Sequence, residues 1–288
     1  MTSLCFVNGE YMDAAAARIS PFDRGFLFAD AVYEVIPAYA SRPFRFAHHL
    51  ARLGRSLGEL SIDSPHSESE WRAICSHLLA GGAASDQYLY LQVSRGGRAG
   101  ERNPAPLPAL APTVFAYAAP WTRPADSVRR DGVRAITTAD IRWQRCDIKT
   151  VALVGNVLLR QMASERDSAE ALLLRDGWVT EGTSSSVHLV HGGRLLTPPD
   201  GPLLLPGTTR DVVLELANNL RVPCIRQPVS ERQLRSAEEI WISSALREFI
   251  PVTRLDDAIV GDGRVGPLYR QLRAQFEAML ARESALPW

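Results

Sequence analysis

Three two-residue turns restrict the fold of this chain more tightly than any other feature of its sequence. Asn8-Gly9 separates Leu4-Cys5-Phe6-Val7 from Glu10-Tyr11-Met12, Asp176-Gly177 divides residues 171–179, and Gly192-Gly193 divides residues 187–196. Such pairs accept the positive φ angles of a tight hairpin, so each predicts two antiparallel strands, and both halves of the chain carry a sheet. Helices are predicted around them. Leu50, Leu53, Leu57 and Leu60 make one stripe beginning near Ala47, and Trp71, Ile74 and Leu78 make a second after the break near Pro65. Further strands are read at 88–94, 113–119 and 133–141, followed by a helix at 151–166. Gly207-Thr208-Thr209-Arg210-Asp211 announces a helix N-terminus running to Leu220, and a strand at 239–244 precedes a last helix at 267–282. The expected fold class is α/β (α+β).

At roughly 150 residues per domain, 288 residues suggest two lobes. Pro120-Trp121-Thr122-Arg123-Pro124 is the linker candidate, which divides the chain into a smaller N-terminal domain (1–119), a linker (120–126) and a larger C-terminal domain (127–288) carrying Lys149. Between the strands at 88–94 and 113–119 lies Gly96-Gly97-Arg98-Ala99-Gly100 and a proline-rich stretch up to Pro112, a long loop of the kind that often serves function. Apolar residues make up 46% and charged residues 22%, which suits a folded core. Lys+Arg and Asp+Glu both total 32, so no long-range positive field gathers nucleic acid or anionic lipid. Cys5, Cys75, Cys146 and Cys224 lie too far apart for a CxxC zinc site or a disulfide ladder, and no metal is expected. No apolar run reaches the roughly 18 residues that spanning requires, and residues 1–10 lack the basic-then-apolar pattern of an export signal. The expectation is a soluble cytoplasmic protein.

Of the 32 basic residues, 31 are arginine and one, Lys149, is lysine. Chance can leave one lysine anywhere. The functional reading is that this position needs an amine able to lose its proton and form an imine, which a guanidinium cannot do. An imine-forming lysine suggests pyridoxal 5'-phosphate, which needs a lysine for its aldehyde, an acid for its ring nitrogen and a cup for its phosphate. Lys149 ends a strand-like run, Glu181 lies in Val179-Thr180-Glu181-Gly182-Thr183-Ser184 just past a hairpin, and Thr208 and Thr209 open a helix whose amides suit an anion. Arg52 adds a bidentate candidate. Taken singly, the glutamate reads as a turn residue and the threonines as a helix cap; the combination carries the weight. His48 and His49 are read as ordinary helix residues, because helical neighbours point about 100° apart.

These segments resemble the class IV (fold type IV) pyridoxal-phosphate aminotransferases, especially the D-amino acid aminotransferases. The residues that carry the resemblance are Phe22-Asp23-Arg24-Gly25-Phe26 with Val32-Tyr33-Glu34, His49-Leu50-Ala51-Arg52-Leu53, Asp140-Ile141-Arg142-Trp143 with Arg145-Cys146-Asp147-Ile148-Lys149, Thr180-Glu181-Gly182 with Ser184-Ser185, and Gly207-Thr208-Thr209-Arg210-Asp211. The resemblance implies two α/β lobes with the cofactor between them, in a homodimer whose partner chain contributes to the site. It implies Lys149 as the Schiff-base lysine and Glu181 at the pyridine nitrogen. Arg52 and the amides of Thr208 and Thr209 would hold the phosphate, Tyr33 and Arg142 would lie near the ring oxygen, and Leu205 would pack beneath the ring. The implied activity is ping-pong transfer of an amino group between a D-amino acid and a 2-oxo acid.

Three departures bear on the substrate. The family's Arg-x-His carboxylate trap is replaced by Gly100-Glu101-Arg102, which leaves Arg98 or Arg102, with Tyr33 and Tyr90, as substrate-binding candidates. Ala29-Asp30-Ala31 stands where glycines are common, implying tighter backbone geometry. Ala245 stands near a usual phosphate-binding threonine, and Ser244 is the candidate to supply that hydroxyl. Aminodeoxychorismate lyase-like elimination, and transamination of branched-chain L-amino acids or (R)-amines, remain alternatives on the same fold. A Ser/Lys hydrolase using Lys149 and Ser184-Ser185-Ser186, and a binding protein without turnover, are alternatives of other classes.

Overall fold

The computed structural model describes residues 4–82, 84–105, 110–283 and 288, so part of the proline-rich loop and the first three residues of the chain lie outside the described residues. The chain forms two compact units. The first comprises 1–122 with 148–152 and 286–288, and the second comprises 123–147 and 153–285. Residues 148–152, and with them Lys149, thus belong with the first unit.

The first unit contains β1 (Leu4–Val7), β2 (Glu10–Asp13), α1 (Arg24–Phe28), β3 (Ala31–Tyr39), β4 (Arg42–Pro43), α2 (Phe46–Glu59), α3 (Glu68–Ala80), β5 (Gln87–Ser94) and β6 (Thr113–Pro120). Its six strands form an antiparallel sheet ordered β2-β1-β6-β5-β3-β4. Asn8 (φ 48°) and Gly9 (φ 100°) make the expected turn. Alternation along the strands splits the sheet into two faces. Ile36, Leu89, Leu91, Val93 and Ala116 pack with Leu53 and Leu57 of α2 and Trp71, Ile74 and Leu78 of α3, and each large side chain so buried contributes about 1.5–3 kcal/mol. The other face carries Tyr33, Tyr88, Tyr90, Phe115 and Tyr117, all half-buried.

β3 is absent from the sequence reading because Pro37 sits within it. Only the two residues of β4 cover its outer edge, and edge strands tolerate proline. Ala29, one of the positions where glycines are common in the family, adopts the left-handed conformation at φ 56° as the C-cap of α1.

The second unit contains α4 (Asp126–Asp131), β7 (Val133–Ala139), α5 (Val154–Ser164), β8 (Glu170–Arg175), β9 (Trp178–Gly182), β10 (Ser186–His191), β11 (Arg194–Thr197), α6 (Thr208–Asn219), β12 (Cys224–Arg226), α7 (Glu231–Arg235), β13 (Glu239–Ser244), β14 (Glu248–Leu255), β15 (Ala258–Ile259) and α8 (Pro267–Glu283). Its nine-stranded mixed sheet runs β12-β11-β10-β13-β14-β7-β8-β9, with β15 paired to β14. β14 is masked in the sequence by Pro251; its pairing with β7 begins only at Val252, past the proline. α5 begins later than the expected residue 151 because the preceding segment is tied to β3. Thr150 Oγ1 donates to Ala31 O at 2.8 Å, and Val151 N donates to the same oxygen at 3.2 Å. Among the described residues no helix is long and apolar enough to cross a membrane.

Candidate active site

In the first unit Lys149 lies on an irregular segment, not at the end of a strand, and is pinned from both sides. Its carbonyl accepts from Tyr33 N at 2.9 Å and its N–H donates to Ser56 Oγ at 3.2 Å. Fixing the backbone in this way aims the side chain, whose Nζ lies 4.2 Å from the centroid of the Tyr33 ring. Tyr33 stacks on Tyr90 (5.7 Å between centroids), and Tyr90 stacks on Tyr117 (5.2 Å) while donating to Gln92 Oε1 at 2.7 Å. Burial pushes the Tyr90 hydroxyl up to about 12, so it stays protonated. Tyr33, Tyr90 and Lys149 are therefore brought together.

Arg52 is gripped by Glu34, whose Oε1 accepts from Nε at 2.7 Å and whose Oε2 accepts from Nη2 at 2.9 Å. His49 also donates from Nδ1 to Glu34 Oε2 at 2.7 Å, the direction a carboxylate requires. His49 is thus no ordinary helix residue, contrary to the expectation drawn from its adjacency to His48. Glu34 is 0% exposed, so these two partners take the place of solvent around its carboxylate. Burial opposes its charge, yet Arg52 and His49 hold its carboxyl far below the ordinary carboxylate range. Burial lowers the His49 pKa against the pull of Glu34. The signal was present in the sequence: His49, Arg52 and Ser56 follow the same three-to-four spacing as the leucines of α2, which turns a polar stripe inward.

In the second unit a β-bulge places Glu181. Leu172 pairs with Gly182 and Leu174 with Val179, so Thr180 and Glu181 together face Leu173. A bulge redirects side chains, and here both reach Arg142. Arg142 donates from Nε to Asp140 Oδ1 and from Nη2 to Asp140 Oδ2, each at 2.9 Å, and from Nη1 to Glu181 Oε1. Leu205 N donates to the other Glu181 oxygen at 3.2 Å. Burial pushes the Glu181 carboxyl up to about 7; Arg142 and the Leu205 amide pull it down, and Asp140 adds to the rise. Behind Glu181, the fully buried Glu170 carboxylate accepts from Thr183 N at 3.1 Å and from Ser185 Oγ at 2.8 Å. A Cβ on Gly182 would collide with Ser185 Oγ, so this turn requires glycine. The serine run is thereby committed to structure, with Ser185 bound to Glu170 and Ser184 exposed. Burial also pushes the Cys146 thiol up to about 11.

α6 starts at Thr208 with Gly207 as an N-cap that offers no side chain to the first amides. Ser186 Oγ would lie 2.5 Å from a Cβ on Gly207, which excludes a larger residue there. The positive end of the helix dipole therefore stands beside Thr208 and the buried Thr209. Ser244 is half-buried at the end of β13, and Leu205 lies on the segment that hydrogen-bonds Glu181. Arg98 is 62% exposed and pairs with Glu101 at 3.8 Å, and exposed Arg102 stacks over Phe28 at 5.7 Å. Among the described residues, no hydrogen bond or ion pair brings either of them to Tyr33 or Lys149. Arg24 and Arg95 both bind Asp30 at 2.8 Å, and Arg24 also donates to the carbonyls of Asn103 and Pro104, fastening the middle of the long loop.

The profile of the family Amino-transferase class IV matches residues 31–255. The chain belongs to the class IV aminotransferases. The D-alanine aminotransferase of Bacillus licheniformis is 38% identical over 278 residues, spanning 96% of this chain and 97% of that protein. The D-alanine aminotransferase of Staphylococcus haemolyticus is 35% identical over 280 residues, spanning 97% and 99%. Among solved structures, the Escherichia coli branched-chain amino acid aminotransferase superposes with a TM-score of 0.91 at 24% identity, covering 97% of this chain and 95% of its own, a likeness of fold. The branched-chain aminotransferase of Thermoproteus uzoniensis with norvaline superposes with a TM-score of 0.86 at 22% identity, covering 98% and 96%, again a likeness of fold. The aminotransferase thus has the fold type IV architecture, and the hydrolase and non-catalytic readings are set aside.

Proposed function

We propose that this class IV aminotransferase is a pyridoxal-phosphate enzyme that moves an amino group between a D-amino acid and a 2-oxo acid by a ping-pong route. The observation that carries the reading is the sole lysine of the chain. Its amine stands against Tyr33 with no carboxylate partner among the described residues, in a sequence 35–38% identical to D-alanine aminotransferases over almost its whole length.

The residues fit the cofactor chemically. Lys149 offers an amine without a counter-ion among the described residues, Glu181 a buried carboxyl near neutrality, and Gly207-Thr208-Thr209 a helix end suited to a phosphate. When bound, pyridoxal phosphate supplies an aldehyde that accepts an amino group and a ring that withdraws electrons from the substrate α-carbon. Lys149 Nζ would hold that aldehyde, and its amine would serve as the base that moves the proton at the substrate α-carbon. Glu181 would hold a proton on the ring nitrogen, with Arg142 and the Leu205 amide fixing its oxygens. Arg52, Thr208, Thr209 and Ser244 would hold the phosphate. Tyr33 would orient the ring, Leu205 would pack against it, and Tyr90 with Arg98 or Arg102 would receive the substrate.

Purified protein given D-alanine and 2-oxoglutarate is expected to release pyruvate at least about a hundredfold more efficiently than it deaminates L-leucine. Preference for L-leucine would move the enzyme to branched-chain substrates. Pyruvate formed from aminodeoxychorismate without an oxo-acid acceptor would make it a lyase.

The same reading includes a homodimer in a reducing compartment such as the cytoplasm. Free Cys5, Cys75, Cys146 and Cys224 suit such a compartment. Val154, Val157 and Leu158 share one exposed face of α5, and Ile141 and Trp143 are also exposed, an apolar surface that suits a second copy of the chain. Leu158→Asp is expected to convert a species of twice the chain mass into monomer in sedimentation analysis, and a dimer unchanged by it would locate the interface elsewhere.

A further inference from the structure

We infer that Asp140 is a positioning residue: acting through Arg142, it governs how tightly Glu181 holds its proton. The inference rests on the proposed placement of Glu181 at the ring nitrogen for its catalytic meaning, but the geometry belongs to this chain alone.

Asp140 follows the last residue of β7, its N–H donates to Leu174 O at 2.8 Å, and its side chain is 0% exposed. A buried carboxylate needs partners, and four donors converge on it. They are Arg142 N at 3.0 Å, Arg142 Nε and Nη2 at 2.9 Å each, and Thr180 Oγ1 at 2.9 Å. Arg175 Nη2 approaches the same carboxylate at 3.3 Å and donates to Arg142 O at 2.9 Å. The planar guanidinium of Arg142 therefore spends two nitrogens on Asp140 and turns the third, Nη1, to Glu181. Its direction is set by the bidentate pair, and its charge is divided between two carboxylates. Glu181 is left incompletely compensated, the condition under which a buried carboxyl retains affinity for a proton. The charged and titratable groups around Glu181 are Arg142, Asp140, Arg175 behind Asp140, and Cys146, whose thiol remains neutral over the working range.

The sign of each substitution follows. Asp140→Asn removes the competing charge and gives Glu181 the full attraction of Arg142. The Glu181 midpoint, followed in the apoprotein as the infrared carboxyl band that Glu181→Gln abolishes, is expected to fall by about one pH unit or more. Arg175→Met strips Asp140 of a counter-charge and is expected to move the midpoint upward. Asp140→Glu, which restores a carboxylate, is expected to recover part of the wild-type value. A purely structural role would loosen the fold without opposite shifts from the two charge changes. An unmoved midpoint in folded Asp140→Asn overturns the inference. If that variant does not fold, the Arg175→Met titration decides it, and a midpoint that stays put or falls overturns it. Failure of the underlying reading is separable: the pH profile of the visible band of the cofactor-loaded Glu181→Gln protein would then match wild type, whatever Asp140 does in the apoprotein.

Discussion

Lys149→Ala is expected to reduce transamination at least about a thousandfold, since on the proposed reading it removes both the covalent attachment point and the general base. The protein should nevertheless fold. Lys149 is held by its main chain, through Ser56 and Tyr33, and those two hydrogen bonds survive truncation of the side chain. What the apoprotein loses is the contact of Nζ with the Tyr33 ring, worth about 0.5–2 kcal/mol. Thermal unfolding should therefore shift little while activity disappears. Lys149→Arg sharpens the test, because it keeps a long basic side chain at this position but provides no primary amine to form an imine. On the proposed reading, borohydride reduction and mass spectrometry should find a pyridoxyl group on Lys149 in the wild type and none at position 149 in either variant. A retained reducible adduct, or turnover within tenfold of wild type, would remove Lys149 from the chemistry. The chain has no second lysine to confuse the assignment.

That uniqueness made Lys149 a candidate from residue types alone. The tight turns were legible for a similar local reason: Asn8-Gly9, Asp176-Gly177 and Gly192-Gly193 all adopt positive φ, which their residue types accept. β3 and β14 were hidden by Pro37 and Pro251, because a proline weakens a strand pattern unless one already knows where the neighbouring strand stops pairing. Glu34, His49 and Asp140 were hidden for another reason. A charged residue in a sequence looks the same whether solvated or buried, and what makes these three consequential is a partner brought up by the fold. Glu34 meets Arg52 from 18 residues away, and Thr180 reaches Asp140 across 40. The bulge that turns Glu181 toward Arg142 has no residue signature of its own, since it arises from how β9 is registered on β8. Arg98 and Arg102 were legible as arginines, while the neighbours they have here, Glu101 for one and Phe28 for the other, come only from the fold.

Glu181→Gln should have opposite effects on apoprotein stability and on catalysis. Burial raises the Glu181 carboxyl from an unfolded value near 4.5 to about 7 in the folded apoprotein. Its contribution to stability is thus fully present below pH 4.5 and is lost as pH rises through 7, a penalty reaching about 3 kcal/mol. Glutamine has no charge to bury, and its oxygen still accepts from Arg142, whose fork remains anchored on Asp140. The variant apoprotein should therefore melt a few degrees above wild type at pH 8, and the gap should close toward pH 5 as Glu181 protonates. The loaded enzyme should move the other way. An amide cannot hold the ring proton as a carboxylate does, so the single-turnover rate with D-alanine should fall about a hundredfold or more, while the yellow colour persists through Lys149. Calorimetry of the apoprotein at the two pH values and stopped-flow absorbance of the loaded enzyme read the two effects separately. A less stable variant at pH 8 would show that Arg142 outweighs burial at Glu181. Unaltered turnover would remove Glu181 from the ring nitrogen. The two outcomes together separate the electrostatics of the apoprotein from the chemistry assigned to the loaded one, because the first depends on the environment built by β8, β9, the Asp140–Arg142 segment and the Leu205 amide.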